Sequence, residues 1–149
     1  MEQETRIEKL REYLFTVVTA INNKCKQINV DMLSNDINNY SIDKIPTSSV
    51  VEKWITGLEI HRDVYAFRSR NAYSQDVINN LKNIGFFETF ENVINSNSKE
   101  GILPEIDGIQ SIECLNSGTM ITNDTKSAIF DIQIQITYIN KSSTINASL

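Results

Sequence analysis

The sequence is poor in the side chains that most metal sites and many active sites use. It contains one histidine, His61, and two cysteines, Cys25 and Cys114, in 149 residues. These three residues are too few for a structural zinc site, which needs four Cys or His ligands. Two cysteines are also far from the density of a disulfide-stabilised secreted domain, so we expect both to be reduced thiols that pack as small apolar residues.

Catalysis by a Ser-His or Cys-His pair would have to use His61. This residue lies in a predicted strand, two positions before Asp63 and far in the sequence from both cysteines. An active site needs several convergent groups with tuned pKa values, and the sequence offers no such set. We therefore predict that the protein is not an enzyme. A small hydrolase that depends on His61 is the alternative from another functional class.

Glycine and positive charge are also scarce. The five glycines are scattered and none begins a P-loop or a dinucleotide-binding motif, so we predict no nucleotide site and no cofactor. Lys and Arg number 14 against 19 Asp and Glu, a net charge of -5, which argues against affinity for nucleic acid or an anionic membrane. No segment approaches the ~18 consecutive apolar residues of a membrane span. The acidic start lacks the apolar core of a signal peptide, which predicts a cytoplasmic protein.

Hydrophobic periodicity in the first third predicts a helix followed by short strands. Apolar residues spaced three and four apart predict an amphipathic helix over residues 3–22. Alternation with period two predicts short strands over residues 28–32 and 40–45. Ser49 and Glu52 have the spacing of a capping box, which predicts a short helix over residues 50–56 that ends at Gly57.

Longer elements are predicted after Gly57. Residues 58–70 are apolar on both faces at their centre, which predicts a long strand covered on two sides there. Helices are predicted from Ser74 to Gly85, where the glycine would end the first, and then over residues 86–97.

The last third predicts a long hairpin. A strand pattern over residues 109–121 is followed by six alternations over residues 128–138, which predict an antiparallel strand with one packed and one solvated face. The turn residues Asn123, Asp124, Thr125 and Lys126 form its predicted tip. A tail from about residue 141 is expected to be disordered.

These elements predict one domain over residues 1–149. Helices and strands do not alternate one for one, so the expected class is α+β. The expected architecture is an antiparallel sheet of four to five strands with helices packed on one face and a long C-terminal β-hairpin.

One short cluster is the candidate site. Tyr65, Phe67, Arg68 and Arg70 place two of the five arginines beside aromatic residues at the end of the predicted central strand. Because arginine pairs well with carboxylates across interfaces, we predict that these four residues line a subunit interface. A phosphate or nucleic-acid patch and a solvated strand end are the alternatives.

Several short motifs follow one another along the chain. They are LREYL at residues 10–14, INVDML at 28–33, YSIDKIP at 40–46, FRSR at 67–70 with Tyr73 and Asp76, Gly85 with Phe86, GILP at 101–104 and the alternating final strand. Their order and spacing resemble those of the small "minor capsid" or tail-terminator proteins of prophages in A/T-rich bacteria, over roughly residues 7–140. The resemblance implies an α+β subunit of a hexameric ring at the head-proximal end of a phage tail tube. Such a ring ends tube polymerisation and joins the tail to the neck.

The resemblance also implies the partners. They are further copies of the chain, the tail tube protein, a neck or connector protein and, in contractile tails, the sheath protein, with DNA only passing through the lumen and no membrane. It implies no catalytic residue and no cofactor. The predicted turn at residues 123–126 would reach an adjoining ring. The protein would move from the bacterial cytoplasm during assembly into the tail-neck region of the virion. A head-to-tail connector or stopper is the nearest alternative, and an interaction module from a non-viral operon is another.

Overall fold

In the computed structural model, a seven-stranded sheet packs against two helices. The structure describes residues 5–22, 25, 27–31, 33, 39–46, 50–72, 77–123 and 127–141. In chain order its elements are α1 (Arg6–Ile21), β1 (Ile28–Val30), β2 (Asn39–Ile45), β3 (Val50–Lys53), β4 (Leu58–Ala72), α2 (Val77–Lys99), β5 (Ile109–Cys114), β6 (Thr119–Asn123) and β7 (Ser127–Lys141). The predicted α+β class is confirmed.

Two long strands form the centre of the sheet. β4 and β7 pair antiparallel along their whole length, from Leu58 opposite Lys141 to Ala72 opposite Ser127. β2 and β3 share the other side of β4, β5 and β6 share the other side of β7, and β1 runs parallel to β2. The prediction of four to five antiparallel strands is therefore wrong, because the described residues form a mixed sheet of seven. Alternation in a sequence indicates a strand but not the direction of its neighbour.

Residues Val50–Lys53 form strand β3 and not the predicted short helix. This segment pairs with β4 through Lys53 opposite Glu59, on a part of β4 that β2 does not reach. A tight turn follows, in which Gly57 has a φ of 90° and donates its N–H to the carbonyl of Trp54. The open edge of β4 offers hydrogen bonds to a β-branched segment, and this pairing outweighs the local helix signal. Ser49, the predicted cap, lies outside the described residues.

The helices differ from the prediction in number. α1 begins after Thr5, whose hydroxyl accepts a hydrogen bond from the N–H of Glu8 at 3.3 Å, and it confirms the predicted first helix. α2 is a single helix of 23 residues that continues through Gly85, so the predicted division into two helices is wrong. It ends at Lys99, Gly101 in the turn after it has a φ of 79°, and the N–H of Ile102 bonds to the carbonyl of Asn97. Neither helix, as far as it is described, is long and apolar enough to cross a membrane.

The C-terminal hairpin is confirmed, with one of its arms in two pieces. β5 and β6 both pair antiparallel with β7, and residues 115–118 separate them. At this break the side chain of Asn116 accepts the N–H of Gln133 at 2.9 Å, in place of a strand neighbour. β7 continues to Lys141. Residues 142–149, which belong to the tail that we predict to be disordered, lie outside the described residues.

One hydrophobic core joins both helices to one face of the sheet. β7 alternates as predicted, and the even-numbered positions from Ala128 to Tyr138 are buried. The odd-numbered positions of β4 face the same side, because Phe67 lies opposite Ile132. The ring of Phe67 stacks on Phe90 of α2 at 4.8 Å between ring centroids. The opposite face of the sheet is covered by no helix among the described residues.

Candidate functional site

The four residues of the predicted interface lie on opposite faces of β4. Tyr65 and Phe67 point into the core and are 1% and 0% exposed. Arg68 and Arg70 point to the face without helices, where both are partly exposed. A second copy of the chain has no access to Tyr65 or Phe67 in the folded subunit, so these two are core residues and not interface residues. For Arg68 and Arg70 an interface role stays a prediction.

Arg68 already binds two carboxylates of its own chain. Its Nε lies 3.0 Å from Oδ2 of Asp131, and its Nη1 lies 3.0 Å from Oδ2 of Asp43. The guanidinium therefore links β2, β4 and β7, and hydrogen bonds between charged groups are among the stronger ones in proteins. Arg70 donates to the hydroxyl of Ser127 at 3.0 Å. The predicted pairing of arginine with carboxylates occurs, but it stabilises the sheet of a single subunit.

A buried carboxylate, Asp63, connects α1 to the face of the sheet that the helices cover. It is 1% exposed, and its Oδ2 accepts the hydroxyl of Tyr138 at 3.2 Å and lies 3.4 Å from Nε of Arg6. The guanidinium of Arg6 also lies 4.6 Å from the centre of the Tyr138 ring. Burial, together with the charge of Asp63, raises the pKa of the Tyr138 hydroxyl. This arrangement ties the first residue of α1 to β4 and β7.

A cleft of about 620 Å³ opens beside this cluster. Arg6, Lys9 and Lys44 contribute positive charge to its walls, and Glu105 and Asp107 contribute negative charge. Lys9 Nζ lies 3.9 Å from the Glu105 carboxylate across the cleft wall. The mixed signs do not favour an anionic or a cationic ligand over the other.

His61 forms a hydrogen bond to a glutamate of its own strand. Its Nε2 lies 3.1 Å from Oε1 of Glu59, and this hydrogen bond lowers the pKa of the Glu59 carboxyl. Its ring stacks on Tyr138 at 5.2 Å. His61 lies opposite Tyr138 and Cys114 lies opposite Ile134, on strands at the two sides of β7. Four positions along β7, roughly 13 Å, and two inter-strand spacings of about 4.8 Å therefore separate their backbones. The described residues contain no group of three His, Cys, Asp or Glu side chains that could hold a metal ion.

The thiol of Cys114 is expected to react slowly in the folded protein. Burial, with the nearby carboxylates of Glu91 and Glu113, raises its pKa to about 12. Because the thiolate is the nucleophile, alkylation by iodoacetamide at pH 8 should be at least about 100-fold slower in the native protein than in the same protein in denaturant. The rate should rise as the pH approaches 12. Mass spectrometry of a Cys25→Ser variant isolates Cys114, and equal rates in the two states would contradict the expectation.

Large apolar side chains are exposed together at two separate corners of the sheet and singly at Val30 and Ile102. We call Trp54 and Ile55, in the turn between β3 and β4, the hairpin tip. Trp54 is 45% exposed and Ile55 is fully exposed. The β6 corner consists of Ile84, Leu115, Met120 and Ile121, which are 41% to 54% exposed. Leu115, Met120 and Ile121 belong to β6 and the turn before it, and α2 packs on that turn through Phe87 against Gly118.

Sequence patterns did not identify either corner. The sequence segment of the hairpin tip was assigned to a helix, where Trp54 and Ile55 have an ordinary place. In the structure this segment is a turn, where Asn, Asp or Gly are the usual residues. Two large apolar residues at such a position indicate a surface that contacts another molecule. The predicted tip at the other end of the sheet is described only at Asn123, the last residue of β6, so Asp124, Thr125 and Lys126 lie outside the described residues.

No protein-family model and no curated protein matches this chain.

Proposed function

We propose that the protein is a structural subunit of a hexameric ring that caps the head-proximal end of a phage or phage-like tail tube. The ring ends polymerisation of the tube and provides the surface that joins it to the neck. The observation that carries the proposal is the presence of two different exposed apolar surfaces, the hairpin tip and the β6 corner, on one sheet. The order of short motifs in the sequence, which resembles that of tail-terminator proteins, supports the choice of this kind of ring.

A closed ring needs two different, complementary surfaces on each subunit. A two-fold dimer, in contrast, needs only one surface that matches itself. The hairpin tip adjoins the end of the sheet where Leu58 pairs with Lys141, on the side of β4. The β6 corner adjoins the end where Asn71 pairs with Ala128, on the side of β7. The two surfaces thus lie at opposite edges and roughly 40 Å apart along the strands, which favours association of the head-to-tail type.

The acidity of the chain is compatible with a ring through which DNA passes. A net charge of -5 repels phosphate and lets a duplex slide, whereas a basic lumen would hold it. The segment at residues 123–126 follows β6 in the chain and is the proposed contact to the adjoining ring. The tube protein, the neck protein and, in a contractile tail, the sheath protein are the further proposed partners.

Polymerisation of the tail tube protein from the same gene cluster tests the proposal. Tubes assembled with this protein should be shorter and should carry an annular particle at one end in negative-stain images. Tubes assembled without it should grow to variable lengths. In cells, tails made without the gene should vary in length and fail to join heads, and tails of normal length that still join heads would contradict the proposal.

A further inference from the structure

We infer that the cleft beside α1 binds a small zwitterion, a free amino acid or a short peptide with free ends. Arg6, Lys44 and the hydroxyl of Tyr65 hold its carboxylate, and Asp107 holds its ammonium group. The inference goes beyond the proposed function and does not depend on it. It rests on a buried tyrosine that lines the cleft and on the different charge of two parts of the cleft wall.

Tyr65 presents an unused hydroxyl to the cleft. The residue is 1% exposed and is part of the cleft wall. No described residue forms a hydrogen bond with this hydroxyl, and burial, with the charge of Asp63, raises its pKa and keeps it protonated. Among the described residues, the only fully enclosed side-chain atoms without a partner are Oδ1 of Asp43 and Oδ1 of Asp63. The Tyr65 hydroxyl is therefore open to the cleft, and its donor needs an acceptor that the chain does not supply.

The part of the wall around Tyr65 is positive. Lys44 lies opposite Tyr65 in the pairing of β2 with β4, so the two side chains are neighbours on one face of the sheet. Arg6 Nε and Lys44 Nζ lie 3.4 Å and 3.9 Å from Oδ2 of the enclosed Asp63. Two exposed cations thus share one carboxylate, which leaves one positive charge in excess. The guanidinium of Arg6 has further N–H donors that can bind a second carboxylate.

The segment between α2 and β5 contributes negative charge to the cleft through Glu105 and Asp107. Glu105 lies 3.9 Å from Nζ of Lys9, whereas Asp107 forms no ion pair with a described residue. The segment is held in place by Gly108, whose carbonyl accepts the N–H of Ile139 at 2.9 Å. A Cβ atom at Gly108 would overlap the carbonyl oxygen of Ile139, so the chain passes β7 closely here. This part of the wall is therefore a fixed acidic surface.

A ligand that carries both charges fits this arrangement. A simple anion meets the acidic segment, and a simple cation meets Arg6 and Lys44, so each is repelled at one part of the wall. A zwitterion places its carboxylate at Tyr65 and its ammonium group at Asp107, and both charges are then matched. The cleft volume of about 620 Å³ is typical of small-molecule sites, which have roughly 300–1,000 Å³.

NMR titration of the ¹⁵N-labelled protein with L-alanine and with trialanine tests the inference. Trialanine amide lacks the carboxylate, and N-acetyl-trialanine lacks the ammonium group. We expect trialanine to bind at least about 10-fold more tightly than either blocked peptide, because each blocked end loses a hydrogen bond between charged groups. The amide signals that shift should be those of cleft residues. Tighter binding of trialanine than of alanine would identify a peptide as the ligand, and the reverse would identify a free amino acid.

Three variants test the two parts of the wall. Lys44→Gln should weaken the binding of trialanine by about 10-fold and leave that of trialanine amide unchanged. Asp107→Asn should weaken trialanine similarly and leave N-acetyl-trialanine unchanged. Tyr65→Phe should lower the affinity without lowering the urea midpoint, because its hydroxyl has no partner in the chain. Lys53→Gln, at an exposed lysine of β3, should bind like the wild type.

Several outcomes would overturn the inference. They are the absence of shifts at cleft residues with both alanine and trialanine at about 10 mM, a concentration that detects even millimolar affinity, and blocked peptides that bind as tightly as trialanine. Wild-type affinity in all three variants would also overturn it. A Tyr65→Phe protein with a lower urea midpoint and unchanged affinity would show that the hydroxyl stabilises the fold and does not bind a ligand.

Discussion

Replacement of Phe67 by alanine is expected to lower the free energy of unfolding by about 4 kcal/mol. The side chain is 0% exposed, and its ring stacks on Phe90 at 4.8 Å and on Tyr40 at 5.7 Å. Alanine would lose the buried area, leave a cavity and remove both ring contacts. Since domains of this kind have a total stability of about 5–15 kcal/mol, the variant should unfold at much lower urea concentration. Urea titration followed by far-UV circular dichroism measures the change.

The same experiment separates a core role from the interface role that the sequence suggested for Phe67. Ile55→Ala is the matched control. Because Ile55 is fully exposed, its truncation should change the free energy of unfolding by less than about 0.5 kcal/mol. The expected pattern is a large loss of stability for Phe67→Ala and a loss of association alone for Ile55→Ala. The reverse pattern would return Phe67 to the subunit interface and contradict its place in the core.

Local periodicity predicted the elements whose surroundings are the same along their whole length. α1 has one buried stripe from Leu10 to Val18, and β7 has one buried parity from Ala128 to Tyr138. In each case a single face meets the core, so spacing alone identifies both the element and its orientation. The long hairpin and the α+β class follow from these elements.

The candidate interface could not be assigned correctly from the sequence. Both parities of β4 are apolar at the centre, and Ala66 is 2% exposed although it lies opposite Asp43 and Gln133 on the face without helices. Only the positions of the helices decide that Tyr65 and Phe67 face the core. The carboxylates that bind Arg68 come from β2 and β7, which are distant in sequence, so their approach depends on strand order.

The error at β3 has a related cause and explains why the hairpin tip was missed. A capping box is a local signal, whereas strand pairing depends on which edge of β4 is left open by β2. Since β2 pairs with β4 only from Val64 onward, the first part of β4 is available to β3. Trp54 and Ile55 then fall in a turn and are exposed. The hairpin tip is thus exposed because β2 is too short to pair with the first part of β4. The length of β2 relative to β4 is a property of the assembled sheet that local sequence patterns do not show.

Two glycines that look alike in the sequence are expected to respond in opposite directions to alanine. At Gly118 a Cβ atom would overlap Cγ of Phe87 and lie 2.6 Å from its Cβ. Phe87 is 2% exposed and packs edge-on against Phe86 at 5.1 Å, so the ring has no space to retreat. We expect Gly118→Ala to lower the free energy of unfolding by about 3 kcal/mol, as strong overpacking does.

Gly85→Ala is the control for that change. It lies inside α2, no atom lies within 4 Å of the position of its Cβ, and alanine should raise the free energy of unfolding by about 0.5–1 kcal/mol. Thermal unfolding of the two variants measures both effects. Because Phe87 holds α2 against the turn before β6, Gly118→Ala should also displace the β6 corner and weaken self-association, whereas Gly85→Ala should leave it unchanged. A Gly118→Ala protein with wild-type stability would mean that α2 and this turn are not in close contact.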